Sequence, residues 1–111
     1  MEKKDTESKE TIFQAKEIDK LIHEPARLSI IAVLYVVESA DFVALRTQTG
    51  LTDGNLSAHL AKLEEAGYIE VEKKTKAKKS LTMLKLSEKG RKAFDEYRKK
   101  MTQVLTGLNG K

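Results

Sequence analysis

The chain has 111 residues, 40% apolar and 34% charged, with a net charge of +4 and neither cysteine nor tryptophan. That length holds one domain with one modest core, and the lack of cysteine excludes disulfides and thiolate metal sites. No apolar run approaches the ~18 residues a membrane span needs, and the charged first ten residues do not have the form of a secretory signal. A soluble, cytoplasmic protein with no membrane partner is expected.

Residues 1–10 read as a disordered or frayed polar arm, and residues 11–111 as a single domain. Over residues 11–23, Ile12, Ala15, Ile18 and Leu21, flanked by Phe13 and Ile22, recur at helical spacing and predict a first helix. Pro25, the only proline, suits the first turn of a second helix, where its missing N–H is no loss. Leu28, Ile31, Ala32, Leu34 and Tyr35 then form a stripe that Ile30, Val33, Val36 and Val37 widen almost all round, predicting a central helix that ends near Ser39. Asp41 is a good N-cap for a short helix over residues 42–49, with Phe42 and Leu45 inward. Gly50 can take the left-handed position that ends it. Leu51 is a candidate buried residue of the turn, Thr52 caps the next helix, and Asp53 complements its dipole. In that helix Leu56, Leu60 and Leu63 make the inner face, and Ala66 and Gly67 close it.

The period then falls to two. Residues 68–74 and 80–86 alternate, with Ile69 and Val71 on one strand and Thr82, Leu84 and Leu86 on the other. Between them residues 75–79 are too polar to bury, so a hairpin with a basic tip is predicted. Ser87 caps a last helix in which Phe94, Tyr97, Met101, Val104 and Leu108 step by three and four. Nine basic residues and one acid lie between Lys73 and Lys92, leaving the rest of the chain net acidic. Such segregation points to a polyanion partner; a solvated lysine-rich surface, as in heat-adapted proteins, is the alternative.

Two short helices joined through Gly50-Leu51-Thr52 have helix-turn-helix spacing, and a basic hairpin after them makes a winged helix. The predicted class is mainly α with a small β-hairpin wing (α+β). Three segments carry a resemblance to a known family. The run over residues 51–71, from Leu51-Thr52-Asp53-Gly54-Asn55-Leu56-Ser57 to Glu65-Ala66-Gly67-Tyr68-Ile69, resembles the recognition-helix-to-wing segment of winged helix-turn-helix transcriptional regulators of the ArsR/MarR-like kind. His23-Glu24-Pro25-Ala26-Arg27-Leu28 is similar to that family's entry into its second helix, and Leu86-Ser87-Glu88-Lys89-Gly90-Arg91 to its strand-to-final-helix junction. The resemblance implies a dimeric, cytoplasmic regulator that binds double-stranded DNA.

Helix geometry nominates the contacts. With Leu56, Leu60 and Leu63 inward, Gly54, Asn55, Ala58, Ala61, Lys62 and Glu65 turn outward, with Ser57 at the edge. Asn55 can pair with adenine or bond a phosphate, Ser57 can donate to either, and Ala58 can meet a thymine methyl. Gly54 permits close backbone approach, and Lys62 suits a phosphate. Thr52 joins the set at the helix start. An exposed helix start, where such polar residues are common anyway, is the plainer account of Asn55 and Ser57. The helix carries Asp53, Glu64 and Glu65 against Lys62 alone. Much of the affinity is therefore assigned to the wing lysines Lys73, Lys74, Lys76, Lys78 and Lys79, as backbone attraction, the alternative being a loop kept soluble by its charge.

No catalytic or metal site is predicted and no cofactor is expected: His23 and His59 are the only imidazoles, with no His at i+3 or i+4. The residues name no small-molecule effector. A homodimer is predicted through the terminal helices, using Ile12, Phe13, Ile18, Phe94, Tyr97, Met101, Val104 and Leu108, because one small domain offers little surface to bury both stripes; the alternative is that the last helix folds back on its own domain. The alternative function is a winged-helix protein-interaction module within a transcription or repair assembly, which the acidic recognition helix keeps open.

Overall fold

The structure, a computed structural model, describes residues 18–108. Among them the element order is α1 (Pro25–Val37), β1 (Ser39–Asp41), α2 (Phe42–Thr49), α3 (Asp53–Glu65), β2 (Ile69–Lys76), β3 (Lys79–Leu86) and α4 (Glu88–Leu108). The strands form an antiparallel sheet in the order β1-β3-β2. Helices packed on one face of a small sheet give the α+β winged-helix architecture that the residue pattern predicts.

The first predicted helix does not extend through residues 18–23, which form turns. The local reason is Asp19, whose Oδ1 accepts from the backbone N–H of Leu21 at 2.9 Å and of Ile22 at 3.2 Å. A short acidic side chain bonded to the backbone two and three residues on closes a turn in place of a helix. Residues 11–17 of that prediction lie outside the described residues, as does the 1–10 arm. Ile22 is nonetheless fully buried and Ile18 nearly so, as their apolar spacing predicts.

Helix α1 begins at Pro25, with Glu24 as N-cap accepting from the Arg27 N–H at 2.9 Å. That bond holds the Glu24 carboxyl below its ordinary value. Ile30, Ile31 and Leu34 are fully buried, each stabilising the fold by roughly 1.5–3 kcal/mol. The helix is not apolar all round in effect, since Val36 remains 77% exposed. It also stops at Val37, two residues before the predicted end. Glu38 takes a positive φ of 68° and turns the chain into β1, a strand absent from the sequence reading. β1 pairs Ser39 with Lys85 and Asp41 with Met83, making the predicted two-stranded wing three-stranded at its base.

The hairpin also differs from expectation. Its strands continue to Lys76 and Lys79, which pair with each other, so the turn is Ala77-Lys78 alone and not a five-residue loop. Both turn residues have positive φ, 52° and 65°. This is the type I′ combination, whose twist matches that of the flanking strands. It is normally signalled by Asn-Gly, and two L-residues with Cβ atoms hide it.

At the hairpin root the backbone is knotted to α4. Ser87 Oγ donates to Gly67 O at 2.6 Å and accepts from the Gly90 N–H at 2.9 Å, while the Ser87 N–H donates to Tyr68 O at 2.9 Å. Gly90 is needed here: a Cβ would collide with the Tyr68 carbonyl oxygen and stand 2.8 Å from its carbon.

Candidate nucleic-acid interface

Helices α2 and α3 are set by their caps. Asp41 Oδ1 accepts from the Ala44 N–H at 2.8 Å to start α2, and Gly50, at φ 73°, donates its N–H to Arg46 O at 2.8 Å to end it. Thr52 Oγ1 then accepts from the Asn55 N–H at 3.2 Å and starts α3. Leu45, Leu56 and Leu63 are fully buried and Leu60 almost so, while Leu51 in the turn is half-buried against the same core. The inner face of α3 is thus fixed, and with it the outer one.

Thr52, Gly54, Asn55, Ser57, Ala58 and Lys62 are all exposed. By helix geometry Gly54, Ala58 and Ala61 form a strip of small residues along the middle of the outer face, ending at the exposed Glu65. A Cβ at Gly54 would meet nothing within 4 Å, so that strip opens straight to solvent. Asn55 and Lys62 line one flank of it, and Ser57 the other. Thr52 is placed differently: its hydroxyl oxygen already serves the helix as a cap.

One charged neighbour of this surface escaped the sequence reading. Arg46, from α2, places Nη1 2.7 Å from Asp53 Oδ1 at the start of α3. The signal was present, an arginine in the last turn before a helix beginning with aspartate, but only the three-dimensional turn brings them together.

The five wing lysines Lys73, Lys74, Lys76, Lys78 and Lys79 are exposed, yet they do not form one set. Strand alternation and the register place Lys73 on the face shared with Ile69, Val71, Leu84 and Leu86. Lys74, Lys76 and Lys79 lie on the opposite face, and Lys78 sits in the turn. Lys74 Nζ is also 3.3 Å from Glu72 Oε1.

The terminal apolar stripe is divided as well. Ile18, Phe94 and Tyr97 are 8%, 8% and 6% exposed within this one chain, so they are core residues and not surplus apolar surface. Phe94 meets the ring of Tyr35 edge-on, and the Tyr97 hydroxyl lies 2.9 Å from His23 Nδ1. Met101 and Val104 are half-exposed beside a cleft of about 260 Å³ lined also by Ile18, Lys20 and His23, and Leu105 is 55% exposed. Ile12 and Phe13 lie outside the described residues, as does the side chain of Leu108.

The two histidines serve packing contacts. His59 Nδ1 lies 3.2 Å from Arg27 Nη1 and 4.0 Å from Glu24 Oε1, which ties α3 to the start of α1. Among the described residues no group of three or more His, Cys, Asp or Glu is placed to hold a metal ion. No helix among them is long and apolar enough to cross a membrane. Tyr68, between α3 and the wing, donates to Asp19 Oδ2 at 2.5 Å, and burial together with that carboxylate pushes its hydroxyl up to about 12.

Residues 26–105 match the winged helix DNA-binding domain family, spanning α1 to the last turn of α4. The chain belongs to this family. Within it, the chain is 39% identical over 89 residues to an uncharacterized protein of Methanocaldococcus jannaschii, covering 80% of this chain and 97% of that one. Among solved structures it is similar to the transcriptional regulator homologue protein from Pyrococcus horikoshii OT3, with a TM-score of 0.79 and 28% identity over 86% of this chain and 96% of the other. A MarR family transcriptional regulator from Silicibacter pomeroyi shares the fold at a TM-score of 0.61 and 18% identity, over 92% of this chain and 66% of that one. The fold is therefore that of a winged helix DNA-binding domain, similar to those of transcriptional regulators.

Proposed function

We propose that the protein is a homodimeric transcriptional regulator that binds duplex DNA sequence-specifically, with α3 in the major groove and the wing along the backbone. The observation that carries this is the outer face of α3. Its middle strip of Gly54, Ala58 and Ala61 lets a helix settle deep in a groove ~12 Å wide, while Asn55 and Ser57 offer hydrogen bonds at its margins. The exposed lysines of the hairpin supply the charge that α3 lacks. The Pyrococcus relative, similar over nearly its whole length, supports the regulatory role. For the dimer, the support is the half-exposed Met101 and Val104 with exposed Leu105, an apolar end of α4 that a second copy would cover. A two-fold pair then presents two α3 helices to a pseudo-palindromic site.

The test is titration of the purified protein with duplex from its own promoter region and with random duplex, at several salt concentrations, beside sedimentation at micromolar protein. The expected result is a dimer that prefers the promoter duplex and loses affinity for both duplexes as salt rises. A monomer would remove the dimer. Failure to bind either duplex at low salt would remove the DNA reading and favour the protein-interaction module.

A further inference from the structure

We propose that Arg46 is a phosphate-contacting residue of the DNA interface, held in position by Asp53. The inference rests on α3 entering the major groove as proposed above. Arg46 and Asp53 form an ion pair of 2.7 Å whose side chains are 40% and 67% exposed. Pairs so exposed contribute only about 0–1 kcal/mol to stability, so the pair is a weak strut between α2 and α3. Its position is more informative. On the α3 wheel Asp53 stands one turn before Ser57 on the same flank, across the small-residue strip from Lys62. A guanidinium tied to Asp53 therefore borders one side of the outer face, and the Lys62 ammonium borders the other.

That spacing has a physical counterpart. A helix with side chains is ~10–12 Å across and the major groove is ~12 Å wide, so the flanks of an inserted helix face the two sugar-phosphate strands. A cation on each flank meets one strand each. Arg46 has five N–H donors, and its bond to Asp53 Oδ1 uses one, leaving others for a phosphate oxygen. Asp53 by itself would repel that strand. Paired, it holds the long arginine side chain in place and lowers the conformational entropy lost on binding. The acid that argues against DNA binding in the sequence becomes a positioning residue for a basic one.

The experiment compares the wild type with Arg46→Ala, Asp53→Asn, the double variant and Lys62→Ala on promoter and random duplex across salt, each variant checked by thermal melting. Arg46→Ala should weaken both duplexes alike and reduce the slope of log K against log salt by about 0.9, the value for one phosphate contact. The double variant has the net charge of the wild type but lacks the contact, so it should keep the reduced slope. Recovery of wild-type affinity and slope in the double variant would overturn the proposal, because Arg46 would then only neutralise Asp53. An unchanged slope in Arg46→Ala would overturn it too. If Lys62→Ala lowers the slope while Arg46→Ala does not, the DNA reading stands and this inference falls; a wild type that binds no duplex ends both. Arg46→Gln gives the same reading should the alanine variant not melt cooperatively.

Discussion

Helix α3 and the hairpin after it present opposite kinds of surface. Along α3 the outward Gly54, Asn55, Ser57, Ala58 and Ala61 are small or neutral, Lys62 is its only lysine or arginine, and the acids Asp53, Glu64 and Glu65 are exposed as well. The hairpin has five exposed lysines within seven positions and little else that could form directed bonds to bases. Contacts to phosphates position a protein on a duplex and contacts to base edges select the sequence. On the proposed function, affinity resides mainly in the wing and selectivity in the helix. The two elements are fixed by different means, α3 by three buried leucines and the wing by its strand register, so each can be altered with little effect on the other.

Replacing Lys76, Lys78 and Lys79 together with Ala is expected to have the largest effect. If all three meet phosphates, the salt slope should fall by roughly 3, about 0.9 for each contact, with specific and random duplex weakened in parallel. A salt titration reads this directly; a loss confined to the promoter duplex would contradict the division. Asn55→Ala should act in the opposite way. It should reduce preference for the promoter duplex by roughly 1–3 kcal/mol if the amide pairs bidentately with a base, and leave the slope and the random-duplex affinity nearly unchanged. Competition binding measures it, with a melting curve beside it because Asn55 lies in the first turn of α3.

The smallest expected effect lies at the junction of the two elements. The Tyr68 hydroxyl is raised from 10.0 to about 12 in the folded chain by burial and by Asp19. A raised pKa means the folded state holds the proton more tightly, so the stabilisation is complete below pH 10 and is lost as pH rises toward 12. Tyr68→Phe should be destabilised by roughly 1 kcal/mol at neutral pH, where the hydrogen bond is gone. Its stability should then fall less steeply than that of the wild type between pH 10 and 12, as denaturant melts would show. An identical alkaline loss in both proteins would place its cause elsewhere.

Much of the fold was legible because its signals are local. Asp41, Gly50 and Thr52 bracket α2 and α3 with caps that depend on a few neighbouring atoms, and Ser87 does the same for α4. Leu56, Leu60 and Leu63 fix which side of α3 faces out, and with it the exposure of all six residues nominated there. The misses have non-local causes or lack the usual residues. β1 is three residues that become a strand only against Lys85, Leu84 and Met83, more than forty positions away. The type I′ turn is built from Ala77 and Lys78, without the glycine or asparagine that announces it. Phe94 and Tyr97 looked like surplus apolar surface because helical spacing shows that a stripe must be covered but not by what. Tyr35 and the segment around Ile18 and Ile22 cover Phe94 and Tyr97 from within the chain, while Met101 and Val104 stay half-exposed.

Gly90 has a mechanical consequence. Each wing strand has eight residues and is roughly 25 Å long, with its base packed on the core and paired with β1 and its outer half projecting. At its base, Gly67 and Tyr68 before β2 and Ser87 after β3 are bonded to one another and to the first turn of α4, with no space for even a methyl group at position 90. The wing is thus a cantilever with a clamped root. Its aim is set at this root and by the pairing of β3 with β1, and an error of a few degrees there grows toward Lys78. An added methyl at Gly90 would therefore displace the far end of the wing more than the near end, although every lysine stayed in place.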